Sequence, residues 1–240
     1  MDAISTASRL VTAAAREALG PLGLQRHGRS RTWIDDHGWW LGIVEFQPSR
    51  NAGSYLNVGV MWLWQARDHL AYDVGGREPG FERFVNPTQF AHDAQTLARR
   101  AADLARENRA RFADLPSTAD FLTLRKPRPG YFWDTYHAGV LAGLTGDTST
   151  ARRRFGQVLA EDAYASWMVQ AQESARRLQA LAESSQASQA SEAAEASEAR
   201  VAPAAREAFR EWATEAIDSC RQQLKLPTWA QRAAGGSYWS

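Results

Sequence analysis

Cysteine occurs once in these 240 residues, at Cys220, which excludes an internal disulfide framework and the paired-cysteine spacings of structural zinc sites. Lysine is almost missing as well. Lys126 and Lys225 stand against a background of arginine, and with alanine abundant this is a usage typical of GC-rich bacterial genomes. No window reaches the roughly 18 uncharged apolar residues that a membrane span needs. The opening stretch, MDAISTASRLVTAAAREALG, is interrupted by Arg9, Arg16 and Glu17 at helical spacing, so no signal peptide is expected and the expected location is cytoplasmic. Neither sign of charge is in excess: 28 basic against 27 acidic residues leave +1, too little to recruit nucleic acid or anionic lipid through an overall field. The expected partner is therefore another protein, with no membrane, nucleic acid or cofactor.

What the chain does have is tryptophan, and half of its ten fall between residues 30 and 64: Trp33, Trp39, Trp40, Trp62 and Trp64. That segment reads as a strand near Arg31 to Asp35, a turn at Asp36-His37-Gly38, a strand from Trp39 to Gln47, and another from Ser54 to Trp64. Pairing odd with odd and even with even residues puts Trp40, Val44, Phe46, Leu56, Val58, Val60 and Trp62 on one apolar face. The other face then collects Glu45, Gln47, Tyr55 and Asn57 at one end and Trp39, Leu41, Ile43, Met61 and Leu63 at the other. Gly42 and Gly59 fall inside strands, where a bend or a closely packed helix is expected. A further short strand is expected around His69 to Val74, followed by a loop.

Helices flank these strands. Residues 3 to 19 are apolar at helical period and Gly20-Pro21 ends the run; Asn86-Pro87 opens a long helix to about Asp114, and a shorter one covers Thr118 to Leu124. RKPRPG is the predicted domain boundary. Beyond it, helices are expected over Tyr131 to Thr145, Thr148 to Ala160, Ala163 to about Glu183, and Pro203 to Leu224. Residues 184 to 200, SSQASQASEAAEASEAR, offer nothing bulky to bury and read as a linker with helical tendency. The predicted organisation is an α+β domain over 1–125 with an antiparallel sheet of three to four strands, a helical subdomain over 126–183, the linker, and a last helix and tail over 201–240. Tyr238 and Trp239 order that tail only if they find a pocket.

Two resemblances follow from particular residues. Leu19, Gly23, Leu24, Arg26, Gly28 or Arg29, and Thr32-Trp33, then Gln47-Pro48-Ser49, then Leu56-Asn57-Val58-Gly59-Val60, resemble the bacterial domain of unknown function 4304 family over about residues 10–125; Tyr72 to Arg77 extends the likeness. The resemblance implies an α+β domain in bacterial cytosol and transfers no catalytic mechanism. Gly139, Gly146, Ala151 and Phe155 resemble one tetratricopeptide-type helical hairpin over about 131–160. One period later Glu173, Ser185 and Gln189 break the pattern, so no solenoid is implied.

Each candidate site also has an ordinary structural explanation. Gln47, Ser49, Arg50, Asn51, Tyr55 and Asn57, with Trp39 on the same strand face, form a recognition surface for a ligand or partner, or are turn and cross-strand residues satisfying one another. Asp36, Glu45 and Gln47 imitate the acid spacing of metal-dependent nuclease cores, without the lysine such sites use. His27, His37, His69 and His92 are dispersed and form no helix-borne metal pair. Asp134 and His137 share a helical face as a carboxylate-oriented imidazole or as a surface pair. Arg125, Lys126, Arg128 and Arg152 to Arg154, near Tyr131, Phe132, Trp133 and Tyr136, suggest a phosphate or RNA patch, or a solvated helix over an aromatic core. No nucleophile can be nominated. The expectation is a non-catalytic binding module, of which an immunity or defence role is one form, with a metal-dependent nucleic-acid-processing enzyme as the alternative.

Overall fold

In the computed structural model the described residues are 2–50, 52–125, 132–191, 198–228 and 238–239, with backbone alone over 184–191 and 198–203. The fold is α+β on an antiparallel sheet. It divides into two compact units, one from Met1–Ala110 with Ile217–Tyr238, the other from Arg111–Ala216 with Trp239.

In the first unit, helix α1 (Ala3–Leu19) starts on Asp2, whose carboxylate accepts the Ser5 N–H at 2.7 Å. The helix ends at Gly20 as expected, and a further turn follows it. Gly20 keeps helical dihedrals, a 3-10 turn covers Gly20–Leu22, and Gly23, with φ of 80°, is the left-handed residue that reverses the chain. The sheet then runs β1 (Gln25–Arg26), β2 (Thr32–Asp36), β3 (Trp40–Pro48), β4 (Gly53–Trp62) and β5 (Val74–Arg77) in that spatial order, while β6 (Glu82–Arg83) pairs with the other end of β4. Six strands replace the three or four expected, because β1 and β6 have two residues each and leave no readable alternation. Strand β5 also corrects the expectation for His69 to Val74: the strand begins where that one was to end, and runs through Gly75 and Gly76.

The register across β3 and β4 keeps parity: Trp40 faces Trp62, Val44 faces Val58, Phe46 faces Leu56, Glu45 faces Asn57 and Gln47 faces Tyr55. One face is core. Val44, Phe46, Leu56 and Val58, with Trp33 from β2, pack under α1 and under α2 (Pro87–Arg111), which meet them with Ala7, Ala14 and Ala15 and with Ala94, Ala98, Ala101, Ala102 and Ala105. Small helix residues over large strand residues let the layers approach and interdigitate. Gly42 and Gly59 stand where neighbouring strands approach closely. A Cβ on Gly42 would lie 3.0 Å from the Asp35 Cβ of the neighbouring strand, and one on Gly59 would lie 2.4 Å from the Val74 carbonyl oxygen and 2.6 Å from the Tyr72 ring. Gly75, paired opposite Gly59, sits at φ 84°, so the two glycines let β5 kink against β4.

The second unit is helical: α3 (Leu115–Leu124), α4 (Phe132–Thr145), α5 (Thr148–Leu159), α6 (Ser166–Ser191) and α7 (Glu198–Gln223) up to Ala216. Asp147 caps α5 by accepting the Thr150 N–H at 2.9 Å, and Gln172 on α6 donates to the Val158 carbonyl at the end of α5 and to the Glu161 carbonyl just beyond it. The chain divides after Ala110, ahead of the expected boundary at 125, so α3 belongs with the other helices. Lys126 to Gly130 of RKPRPG lie outside the described residues. So do 192–197 of the expected linker, whose described ends belong to α6 and α7. On α7, Phe209, Ala213 and Ile217 are fully buried. At the tail, Tyr238 is buried and its hydroxyl donates to Asp218 of the first unit. Among the described residues no helix is long and apolar enough to cross a membrane.

Gly143 on α4 lies against Phe209, and a Cβ there would fall 2.1 Å from the ring. Alanine raises helix propensity by about 1 kcal/mol over glycine, so the sign of the Gly143→Ala effect isolates the clash. Urea unfolding is expected to show G143A destabilised by about 1–3 kcal/mol net, with part of the loss recovered when Phe209→Leu is added. A stabilised G143A would contradict this packing.

Candidate functional site

Most polar candidates converge on the turn end of the β3–β4 hairpin. Asn57 sits in the middle, 6% exposed. Its amide donates to Glu45 Oε2 at 2.7 Å and to Gln47 Oε1 at 3.0 Å, and its oxygen accepts from Arg77 Nε at 3.4 Å. Arg77 also donates to Gln47 Oε1 and lies over the Tyr55 ring, 4.4 Å from its centre. Tyr55 leans in turn on Phe81 at 4.7 Å, and the Tyr72 hydroxyl donates to Glu45 Oε2 at 3.4 Å. Burial, and next to it the Glu45 charge, pushes the Tyr72 phenol well above its ordinary range, so Tyr72 is a proton donor to this network at any physiological pH. Asn57 is thus satisfied on both sides and fixes its neighbours. Outward, Arg77 is exposed and Gln47 half-buried. Gln47 Nε2 and Arg77 Nη1 have no protein partner among the described residues.

The other recognition candidates fare differently. Ser49 and Arg50 stay at the β3–β4 turn, Ser49 donating its N–H to Gly53 at 3.2 Å and Arg50 exposed; Asn51 lies outside the described residues. Trp39 is not on a surface. It is 7% exposed and stacks on Trp62 and Trp64 at 5.8 and 5.7 Å, with the three indoles nearly parallel. The expected surface tryptophan is core because Trp62 and Trp64 supply a flat apolar wall beside it.

The carboxylates of the nuclease reading are not brought together. Asp36 stands opposite Leu41 and Glu45 opposite Thr32, about 13 Å apart along the strand by the usual rise. Glu45 belongs to the Asn57 network. Asp36 is gripped by Arg221 of α7: Nη1 donates to Oδ1 at 3.0 Å and Nη2 to Oδ2 at 2.7 Å, while the same guanidinium bonds the Gly38 and Pro227 carbonyls. Arg221 is wholly buried. Asp35, next to Asp36 in the chain, points to the other face of β2. There Arg109 at the end of α2 donates Nε and Nη2 to its two oxygens, both at 2.7 Å, and reaches the Leu22 carbonyl at 2.6 Å. His37 Nε2 lies 2.9 Å from Asp35 Oδ2, and its ring stacks on Trp40 at 4.0 Å. Burial alone would raise the Asp35 carboxyl, but His37 and Arg109 outweigh it and hold it below the ordinary carboxylate range. Among the described residues no three His, Cys, Asp or Glu side chains are placed to hold a metal.

In the second unit, Asp134 is buried and paired with Arg125 at 3.2 Å, and His137 is buried against Trp133 and Tyr136. Of the basic concentration, Arg153 bonds Thr150 and Arg154 bonds the Thr123 carbonyl; Lys126, Arg128 and Tyr131 lie outside the described residues. Arg77 and Tyr72 were missed as members of the ladder. Their only sequence signal is the Tyr72 to Arg77 run that extends the family likeness, which carries no role for either residue.

Comparison with protein-family models, curated proteins and solved structures finds no match to this chain. Its chemistry rests on the geometry above.

The Asp35 pair has a pH signature. A carboxyl lowered on folding adds stability that is full above its unfolded value, about 3.9, and is lost as pH falls through the lower folded value. Asp35→Asn is expected to lose about 2 kcal/mol or more at neutral pH, as a charged hydrogen-bonded partner is removed from Arg109. The penalty should shrink below about pH 4. A penalty that is constant between neutral and acid pH in chemical denaturation would contradict the pairing.

Proposed function

We propose that this protein is a non-catalytic binding module of the bacterial cytosol, and that it recognises another protein through the Gln47, Tyr55, Asn57 and Arg77 ladder. The observation that carries this reading is the state of that ladder. Asn57 and Glu45 lock the array from beneath, so Arg77 and the Gln47 amide are held in place with donors to spare. Preorganised donors beside an aromatic ring lose little entropy on binding, and arginine and tyrosine are enriched where interfaces gain most of their energy. The matching partner surface is an acceptor-rich, acidic segment. The domain of unknown function 4304 resemblance, which carries no catalytic set, is consistent with such a role and is part of the proposal.

The catalytic alternative has less to work with, since Asp36 is consumed by Arg221 and Glu45 stands apart from it. Affinity capture with the full chain is expected to recover a stoichiometric protein partner that is lost with Arg77→Glu, compared at a temperature below the unfolding midpoint of both proteins. Equal recovery by wild type and R77E, or no stoichiometric partner for either, would end this reading.

A further inference from the structure

The same sheet face bears a second concavity, at its β1 end, that the ladder does not use. A cavity of about 220 Å³ is lined by Gln25, Arg26, His27, Ile34, Asp36 and Pro227, among others. Its electrostatics are one-sided. Asp36 is the acidic group in the lining, and its charge is already matched by the bidentate Arg221 behind it. Among the described lining residues no acid is left to offset Arg26 and His27. The β1–β2 loop that frames the cavity, Gln25-Arg26-His27-Gly28-Arg29-Ser30-Arg31, holds three arginines, a histidine and no acid.

Arg26 is also held in position. Its Nε donates to the Ser30 carbonyl at 2.6 Å and its Nη2 to the Arg29 carbonyl at 2.8 Å, so the loop wraps one edge of the guanidinium. The Nη1 edge has no protein partner among the described residues. Arg26 and Arg31 are close enough that, after burial, the charge of Arg26 is the main influence lowering the Arg31 guanidinium pKa. An anion at Arg26 relieves that repulsion. Size narrows the ligand: ordinary small-molecule sites run from about 300 to 1,000 Å³, and this one is smaller. Charge narrows it further, because a phosphomonoester carries about −1.5 to −2 at neutral pH with several strong acceptor oxygens, against one charge on a carboxylate.

We infer that this cavity binds the phosphate group of a small phosphorylated molecule, with Arg26 as the principal cation and His27 and the Gln25 amide as flanking donors. The site is independent of the ladder, and R77E leaves it intact.

Isothermal titration of the full chain at low ionic strength, with inorganic phosphate and glycerol phosphate, tests it. Saturable one-to-one binding is expected. Arg26→Gln should weaken it by about tenfold or more, the loss of a hydrogen bond between charged groups. His27→Gln should weaken it several-fold, and Arg9→Gln, an exposed change on α1, should leave it unchanged. If R26Q does not fold, H27Q at its exposed position decides. A short single-stranded oligonucleotide and succinate provide the contrasting arms. Absence of saturable phosphate binding, equal affinity in H27Q and R26Q to wild type, tighter binding of succinate, or binding of the oligonucleotide alone would each overturn the inference.

Discussion

Two adjacent aspartates on one short strand set the arrangement of the first unit. Because side chains alternate across a strand, Asp35 and Asp36 leave β2 in opposite directions, and each meets an arginine fork. Asp35 receives Arg109 from the end of α2 on the core face; Asp36 receives Arg221 from the end of α7 on the other. Planar guanidinium and carboxylate groups pair in one geometry, so each contact positions a helix end as well as holding it. Burying such pairs is expensive, and replacing one with hydrophobic residues is often neutral or better. Removing a single partner is not, because the remaining charge is left in a dry interior. The pairs therefore act by specifying position, and Arg221, wholly buried with bonds to Asp36, Gly38 and Pro227, does so most completely.

This constraint decides what the sheet can do chemically. A carboxylate clamped at both oxygens is a poor metal ligand and a poor base, which removes Asp36 from the set that looked catalytic. Neutralised by Arg221, it leaves the adjoining cavity dominated by Arg26 and His27. Farther along the same face, Glu45 is not clamped by an arginine but supports Asn57, and Asn57 supports Gln47 and Arg77. One face thus has a structural ion pair between two regions whose donors turn outward.

What was legible in the sequence follows from the range of the interactions. Face segregation at the turn end, where Glu45, Gln47, Tyr55 and Asn57 oppose Val44, Phe46, Leu56 and Val58, defines the β3–β4 register, because a one-residue slip would exchange the two sets. Elements of two residues, such as β1 and β6, leave no period to detect. Gly75-Gly76 reads as loop, yet it is strand because paired glycines let β5 press against Gly59. Trp39 looked outward by parity, but stacking on Trp62 and Trp64 is a tertiary outcome that parity does not contain. The partners of Asp35 and Asp36 lie 74 and 185 residues away, and nothing local marks Arg109 or Arg221 among so many arginines. The Asn57, Gln47 and Tyr55 cluster was visible in outline; that Arg77 completes it depended on where β5 begins.

A double-mutant cycle between Asp36 and Arg221 tests the central claim most directly. With Asp36→Asn, Arg221→Met and the double variant compared by urea unfolding, D36N alone should cost about 3–5 kcal/mol, the penalty of stranding a buried charge. In the R221M background, where no arginine charge is stranded, D36N should cost far less, giving a coupling of about 2 kcal/mol or more. Additive effects, or a D36N protein as stable as wild type, would show that this pair does not hold the fold and would return Asp36 to the candidates for chemistry.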